Sequence, residues 1–245
     1  MRVPTSEPGV TMQVGPLQLQ DHWSEADGPV RYRNVWVQPL ESMSFTPAGW
    51  VDAFDGKTLG GWSVVGGSAT YRVEQSEDGP IIVGASAPNS PNTFLVLDEP
   101  LDNFEVFIEV KQHPELNSGI QIRSHVDGGV TNRSGRLRGL QVELDPSPTA
   151  FTGGTYDEGR RGWIKPLTTS LTARRVYDPS AWNQIRILAE GPRVRTWVNG
   201  IPASDVFDAV DHSGHLALQV HGVGNRNEKM EVRWRNLRVR RLQPN

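Results

Sequence analysis

The chain has 245 residues, with 25 Lys and Arg against 28 Asp and Glu and a net charge of −3. That length can bury a sizeable core, the charge lacks the basic balance of a nucleic-acid binder, and no run of ~18 apolar residues offers a membrane-spanning helix. The absence of Cys excludes disulfide staples, thiolate metal ligands and a Cys nucleophile, while 25 Gly and 18 Pro exceed the roughly 12% combined average and imply many turns between short strands.

The opening residues, MRVPTSEPGV, lack the apolar stretch of a secretory leader, so none is expected within this chain. A repeat follows. Gly15, Leu17, Leu19, Gln20 and His22 match Gly214, Leu216, Leu218, Gln219 and His221. Val30, Arg31, Arg33 and Asn34 match Val232, Arg233, Arg235 and Asn236. Both copies shift phase: Val232 and Trp234 are apolar at even positions, then Leu237 and Val239 at odd ones. A one-residue slip in period-2 alternation is the mark of a β-bulge. Residues 1–45 therefore read as the terminal β-hairpin of a preceding like domain, or as an N-terminal extension. Residues 46–245 read as one complete domain. An unaccompanied amphipathic strand pair exposes edges, so residues 15–40 are also a candidate surface for self-association.

Within the domain the strands alternate. Phe104, Val106, Ile108 and Val110 oppose Glu105, Phe107, Glu109 and Lys111. Ile120 and Ile122 oppose Gln121 and Arg123. Leu140, Val142 and Leu144 oppose Gln141, Glu143 and Asp145, and Leu216, Leu218 and Val220 oppose Ala217, Gln219 and His221. The stretch AWNQIRILAEGPRVRTWVNG reads as a hairpin with a Gly-Pro turn. Such alternation, with no helical period, predicts an all-β fold: an antiparallel β-sandwich or jelly roll. Segments 124–139 and 146–181 read as long polar loops over its concave face, which in a compact domain are often functional.

Several stretches carry chemistry. In GLQVELDPSP, the side chains of Gln141, Glu143 and Asp145 share one strand face. Adjacent carboxylates repel unless a cation, a metal or substrate hydroxyls meet them. They are also how sandwich glycosidases align acid, base and nucleophile. In GGTYDEGRRGW, a Gly-rich turn gathers Tyr156, Asp157, Glu158, Arg160, Arg161 and Trp163; it is either a site loop or a salt-bridged turn. His221, at a strand end beside Gln219, suits a general base or a metal ligand. Asn117, Ser118, Gln121 and Arg123 form a polar row. An outward Trp197 could stack on a sugar ring.

These motifs in this order, with WVDAFDGKTLGGW, FEVFIEVKQ, NSGIQIRS, WNQIRI, VNG and HLALQVHG followed by WRNLRVRRL, resemble the 3-keto-disaccharide hydrolase domain family over about residues 50–242. The resemblance implies a concanavalin A-like jelly roll, in bacterial proteins commonly found in the periplasm or outside the cell. It implies action on glycosides already oxidised to a ketone at C3. The ketone acidifies the C2 proton, a base removes it, the enolate expels the C1 substituent, and water adds back.

On that resemblance Glu143, His221, Asp145 and Arg161 are expected to be catalytic. Glu143 and His221 are also the candidate ligands of a divalent metal ion, and no organic cofactor is implied. Gln121, Arg123, Gln141, Tyr156, Glu158, Arg160, Trp163, Trp197 and Gln219 are expected to contact an oxidised carbohydrate. The other readings are a carbohydrate-binding sandwich without turnover and a structural or partner-binding sandwich.

Overall fold

The structure, a computed structural model, describes residues 49–243. The repeat at 15–40, its His22 and the assignment of 1–45 to a preceding domain lie outside the described residues.

Fifteen strands follow in chain order: β1 (Trp50–Asp52), β2 (Trp62–Gly66), β3 (Thr70–Ser76), β4 (Gly79–Ala85), β5 (Thr93–Leu97), β6 (Phe104–Gln112), β7 (Ser118–Val126), β8 (Leu137–Leu144), β9 (Thr155–Glu158), β10 (Gly162–Lys165), β11 (Asn183–Glu190), β12 (Arg193–Val198), β13 (Ile201–Phe207), β14 (His215–Val220) and β15 (Glu231–Arg241). A single helical turn, α1 (Leu171–Arg174), lies between β10 and β11. The strands form two antiparallel sheets. The first runs β13-β12-β11-β6-β15-β4-β3, with β1 added on β15. The second runs β10-β9-β8-β7-β14-β5-β2.

The core lies between them and follows the predicted alternation. Phe104, Val106, Ile108 and Val110 of β6 pack with Ile120 and Ile122 of β7, Leu140, Val142 and Leu144 of β8, and Leu216, Leu218 and Val220 around β14. The Tyr71 hydroxyl ties the sheets together, pointing between the Thr93 and Leu218 carbonyls at 2.8 and 2.9 Å. The Gly-Pro hairpin forms as β11 and β12, with Glu190 opposite Arg193. The phase shift in the closing strand is a register slip between Arg235 and Arg238. There Asn236 takes a positive φ of 52°, which Asn tolerates better than most residues.

Two expectations change. First, the closing motif is no hairpin. β14 sits between β7 and β5 in one sheet, and β15 between β6 and β4 in the other. Second, the long segments are not simply polar loops. Segment 124–139 extends β7 to Val126 and starts β8 at Leu137. Its Leu137, Val126 and Val130 pack with Val65, Phe94, Val96 and Ala217 on the outer face of the second sheet. Arg133 holds it there by donating to the carbonyls of Gly66 and Gly67. Segment 146–181 contains the β9–β10 hairpin, which widens the second sheet. Gly and Arg content masked both features, because single valines in a polar segment give no period to read.

The second sheet is thus covered on both faces at one end. Gln121, Gln141 and Gln219, predicted to point away from the core, do so and are nevertheless buried.

Candidate functional site

The uncovered end of that outer face forms a cavity of about 900 Å³, large for a small-molecule site, where roughly 300–1,000 Å³ is usual. Gln141, Glu143, Asp145, Tyr156, Glu158, Trp163 and His221 line it, together with Asn92, Glu115, Asn117 and Arg226.

β8 supplies the centre. Its apolar residues face the core, so the pleat turns Gln141 and Glu143 to the cavity. Glu143 is only 6% exposed. Asn117, just ahead of β7, donates from Nδ2 to Glu143 Oε1 at 2.6 Å. Gln141 donates from Nε2 to Oε2 at 2.8 Å. Burial pushes the Glu143 carboxyl up to about 7 against the pull of these two amides, and the negative charges of Asp145 and Glu158 add to the rise.

Asp145 stands just past the end of β8 and also lines the cavity, but its oxygens are occupied. Oδ1 accepts from the Ser147 amide at 2.9 Å. Oδ2 accepts from the Thr149 hydroxyl at 2.6 Å and the Phe151 amide at 3.0 Å. Burial raises its pKa, but these donors outweigh it and leave the carboxyl below its ordinary range. Asp145 is therefore ionised, and it anchors the loop that leads into β9.

β9 brings Tyr156 opposite Gln141, and Glu158 opposite Gly139. Burial raises the Glu158 carboxyl, opposed by a hydrogen bond from Asn92. The Tyr156 phenol is raised too, by burial and by the Glu158 and Glu143 charges. Trp163 on β10 is 41% exposed. The Phe151 and Tyr156 rings meet it nearly edge-on, at centroid distances of 5.3 and 5.4 Å. His221 follows β14 and is exposed, with Nδ1 2.8 Å from the Gly222 carbonyl oxygen. That contact places the proton on Nδ1 and leaves Nε2 free.

The other anticipated residues lie elsewhere. Gln121 sits one strand behind Gln141 and donates to its Oε1 at 2.6 Å. Gln219 is fully buried, and its amide has no hydrogen-bond partner among the described residues. Arg123 turns away from the outer face through a positive φ of 47°. Its guanidinium donates to the Asp102 and Gly191 carbonyls at 2.8 and 2.6 Å, bracing one end of the sandwich. Arg161 joins Asp157 to Asp208, and Arg160 joins Asp157 to Asp211. Both pin the β9–β10 turn. Trp197 is on β12 of the first sheet, 4.3 Å beneath the Arg186 guanidinium.

The cavity does not supply a divalent cation with a full set of protein ligands. Among the described residues no three His, Asp or Glu groups are placed to share an ion, and an all-protein cation site needs at least three ligands.

Asn92, Glu115 and Arg226 were not anticipated. Asn92 lies in the irregular segment just before β5, where no periodicity marks it; its Oδ1 accepts from the Gly222 amide at 2.9 Å. Arg226 pairs with Glu115 at 3.2 Å on the cavity wall. The polar row that includes Asn117 was visible in sequence, but its bond to Glu143 was not.

The family described as 3-keto-alpha-glucoside-1,2-lyase-like domain matches residues 49–240. No curated protein matches the chain. Among solved structures the chain is similar to a candidate glycosyl hydrolase from Parabacteroides distasonis ATCC 8503, with 19% identity and a TM-score of 0.54 over 80% of this chain and 94% of that one. It is similar to a Bacillus subtilis protein of unknown function with a galectin-like fold, with 12% identity and a TM-score of 0.50 over 75% and 90%. It is also similar to the apo form of Crh5 transglycosylase, with 11% identity and a TM-score of 0.51 over 80% and 84%. At such identities these structures bear on the fold alone.

Proposed function

The chain belongs to the 3-keto-alpha-glucoside-1,2-lyase-like domain family, and on that premise we propose that its cavity cleaves 3-keto-glycosides with Glu143 as the general base. The observation that carries this reading is the state of Glu143: a buried carboxylate on the cavity wall, clamped by two amides, with its pKa raised to about 7. A base poised near the working pH combines an available ionised form with real proton affinity.

The chemistry has two steps. Glu143 takes the C2 proton, and the C2–H electron pair moves to form a C2=C3 double bond with negative charge on the C3 oxygen. That enolate then re-forms the ketone: the C2=C3 pair moves to make a C1=C2 double bond as the C1–O bond breaks. The leaving oxygen departs with the bonding pair and takes a proton. Without the ketone, the C2 proton is too weakly acidic for a carboxylate to remove.

The neighbours suit the remaining tasks. Tyr156 keeps its hydroxyl proton and offers it to the enolate oxygen. Glu158, with its raised pKa, is the group able to protonate the leaving oxygen. Trp163 offers an exposed indole face to the apolar C–H face of a sugar ring.

The same exposed Trp163 also favours a second reading, sugar binding without turnover. Incubation with a 3-keto-disaccharide and its unoxidised parent, followed by mass spectrometry, separates the two. Consumption of the keto sugar alone supports the lyase. Binding of either sugar with no product supports the binding module.

A further inference from the structure

Behind Glu143 runs a line of hydrogen bonds that the elimination chemistry does not itself require. The Ser124 hydroxyl donates to Gln121 Oε1 at 2.8 Å. Gln121 Nε2 donates to Gln141 Oε1 at 2.6 Å. Gln141 Nε2 donates to Glu143 Oε2 at 2.8 Å. All three donors are buried. Gln121 and Gln141 are direct cross-strand partners on β7 and β8.

The line has one direction. Each amide accepts on its oxygen from the residue behind and donates from its nitrogen to the residue ahead. If Gln141 were reversed, it would face Glu143 with a carbonyl oxygen and face Gln121 with a second donor, so both contacts would fail. The backbone makes room for this arrangement. A Cβ on Gly119 would lie 2.3 Å from Gln141 Cδ, so only glycine there lets the side chain lie flat across β7.

We propose that Ser124, Gln121 and Gln141 act as a relay of positioning residues, which fixes the orientation of the Glu143 carboxylate and favours its ionised form from the neighbouring strand. This inference rests on the reading of Glu143 as the base. None of the three is a catalytic residue. They act through Glu143, and their hydrogen bonds polarise one another along the line. The charged and titratable groups that also face Glu143 are Asp145 from its own strand end, Tyr156 and Glu158 from β9, and His221 after β14, with Glu115 and Arg226 further along the wall.

The test reads Glu143 directly and needs no substrate. Carbon-13 NMR follows the titration of glutamate carboxyls in the whole chain, and Glu143→Gln identifies the signal. The wild-type midpoint is expected near the raised value. Gln141→Leu should move it upward by about one pH unit, since the lost hydrogen bond favours the charged form. Gln121→Leu, which touches no carboxylate, should move it in the same direction by less. Ser124→Ala removes one hydroxyl only, serves if either Leu variant fails to fold, and should shift the midpoint the same way. A midpoint that Gln141→Leu moves but Gln121→Leu and Ser124→Ala leave in place overturns the relay, as does no shift in any variant. If the wild type cleaves no 3-keto-glycoside while the midpoints shift as expected, the functional reading fails and the relay stands.

Discussion

Asn117 Nδ2 lies 2.6 Å from Glu143 Oε1, so a side chain ahead of β7 grips a carboxylate that β8 presents. The amide favours the ionised form and burial opposes it; burial wins, and the carboxyl sits at about 7 instead of its ordinary 4.5.

This balance has a pH signature in activity. A base must be ionised to accept a proton, so kcat/KM for a 3-keto-disaccharide should rise through about pH 7. Below the midpoint it should fall roughly tenfold per pH unit. Asn117→Ala removes a bond that lowers the pKa, so the midpoint should move upward. A pH–rate profile of the two proteins checks both statements.

Stability carries the opposite sign. The unfolded carboxyl releases its proton near 4.5, whereas the folded one holds it to about 7. The contribution of Glu143 is therefore full below about pH 4.5 and lost as pH rises through about 7, by up to roughly 3 kcal/mol. Urea denaturation from pH 4.5 to 8 should show wild-type stability declining more steeply than that of Glu143→Gln.

Trp163 and Trp197 make a matched pair of controls. Trp163 is exposed on the cavity wall. Trp163→Ala should weaken sugar binding several-fold, about 1 kcal/mol. Trp197 lies on the other sheet beneath Arg186, and Trp197→Ala should leave binding unchanged. Isothermal titration calorimetry with a 3-keto-disaccharide measures both.

Arg161 sits between Asp157 and Asp208 and outside the cavity lining. Arg161→Gln should lower the melting temperature by several degrees without changing KM. The partly exposed guanidinium keeps the loss near 1 kcal/mol. Thermal denaturation and steady-state kinetics read the two effects separately.

Much of the fold was legible in sequence, because the alternation along β6, β8, β11 and β14 is unbroken and the bulge in β15 shows as a change of phase. The pairing of β14 and β15 was not legible: adjacency in sequence suggested a hairpin, whereas each strand fills the middle of a different sheet. The same limit applied to the cavity. Gln141, Glu143, Tyr156, Glu158 and Trp163 share a wall because β8, β9 and β10 are sequential neighbours, so local pattern brought them together. Arg123, Arg161 and Trp197 have suitable chemistry, but a positive φ, two aspartates and a different sheet direct them elsewhere. Asn92 and Arg226 arrive from distant irregular connections, which no period records.

Loss of a label at C2 tests the central claim most directly. A 3-keto-disaccharide carrying deuterium at C2 of the oxidised ring is treated with the wild type, with a blank for spontaneous exchange, and its products are weighed by mass spectrometry. Abstraction by Glu143 predicts product without the deuterium, and no product with Glu143→Gln. Product that retains the C2 deuterium, or undiminished turnover by Glu143→Gln, would contradict the account.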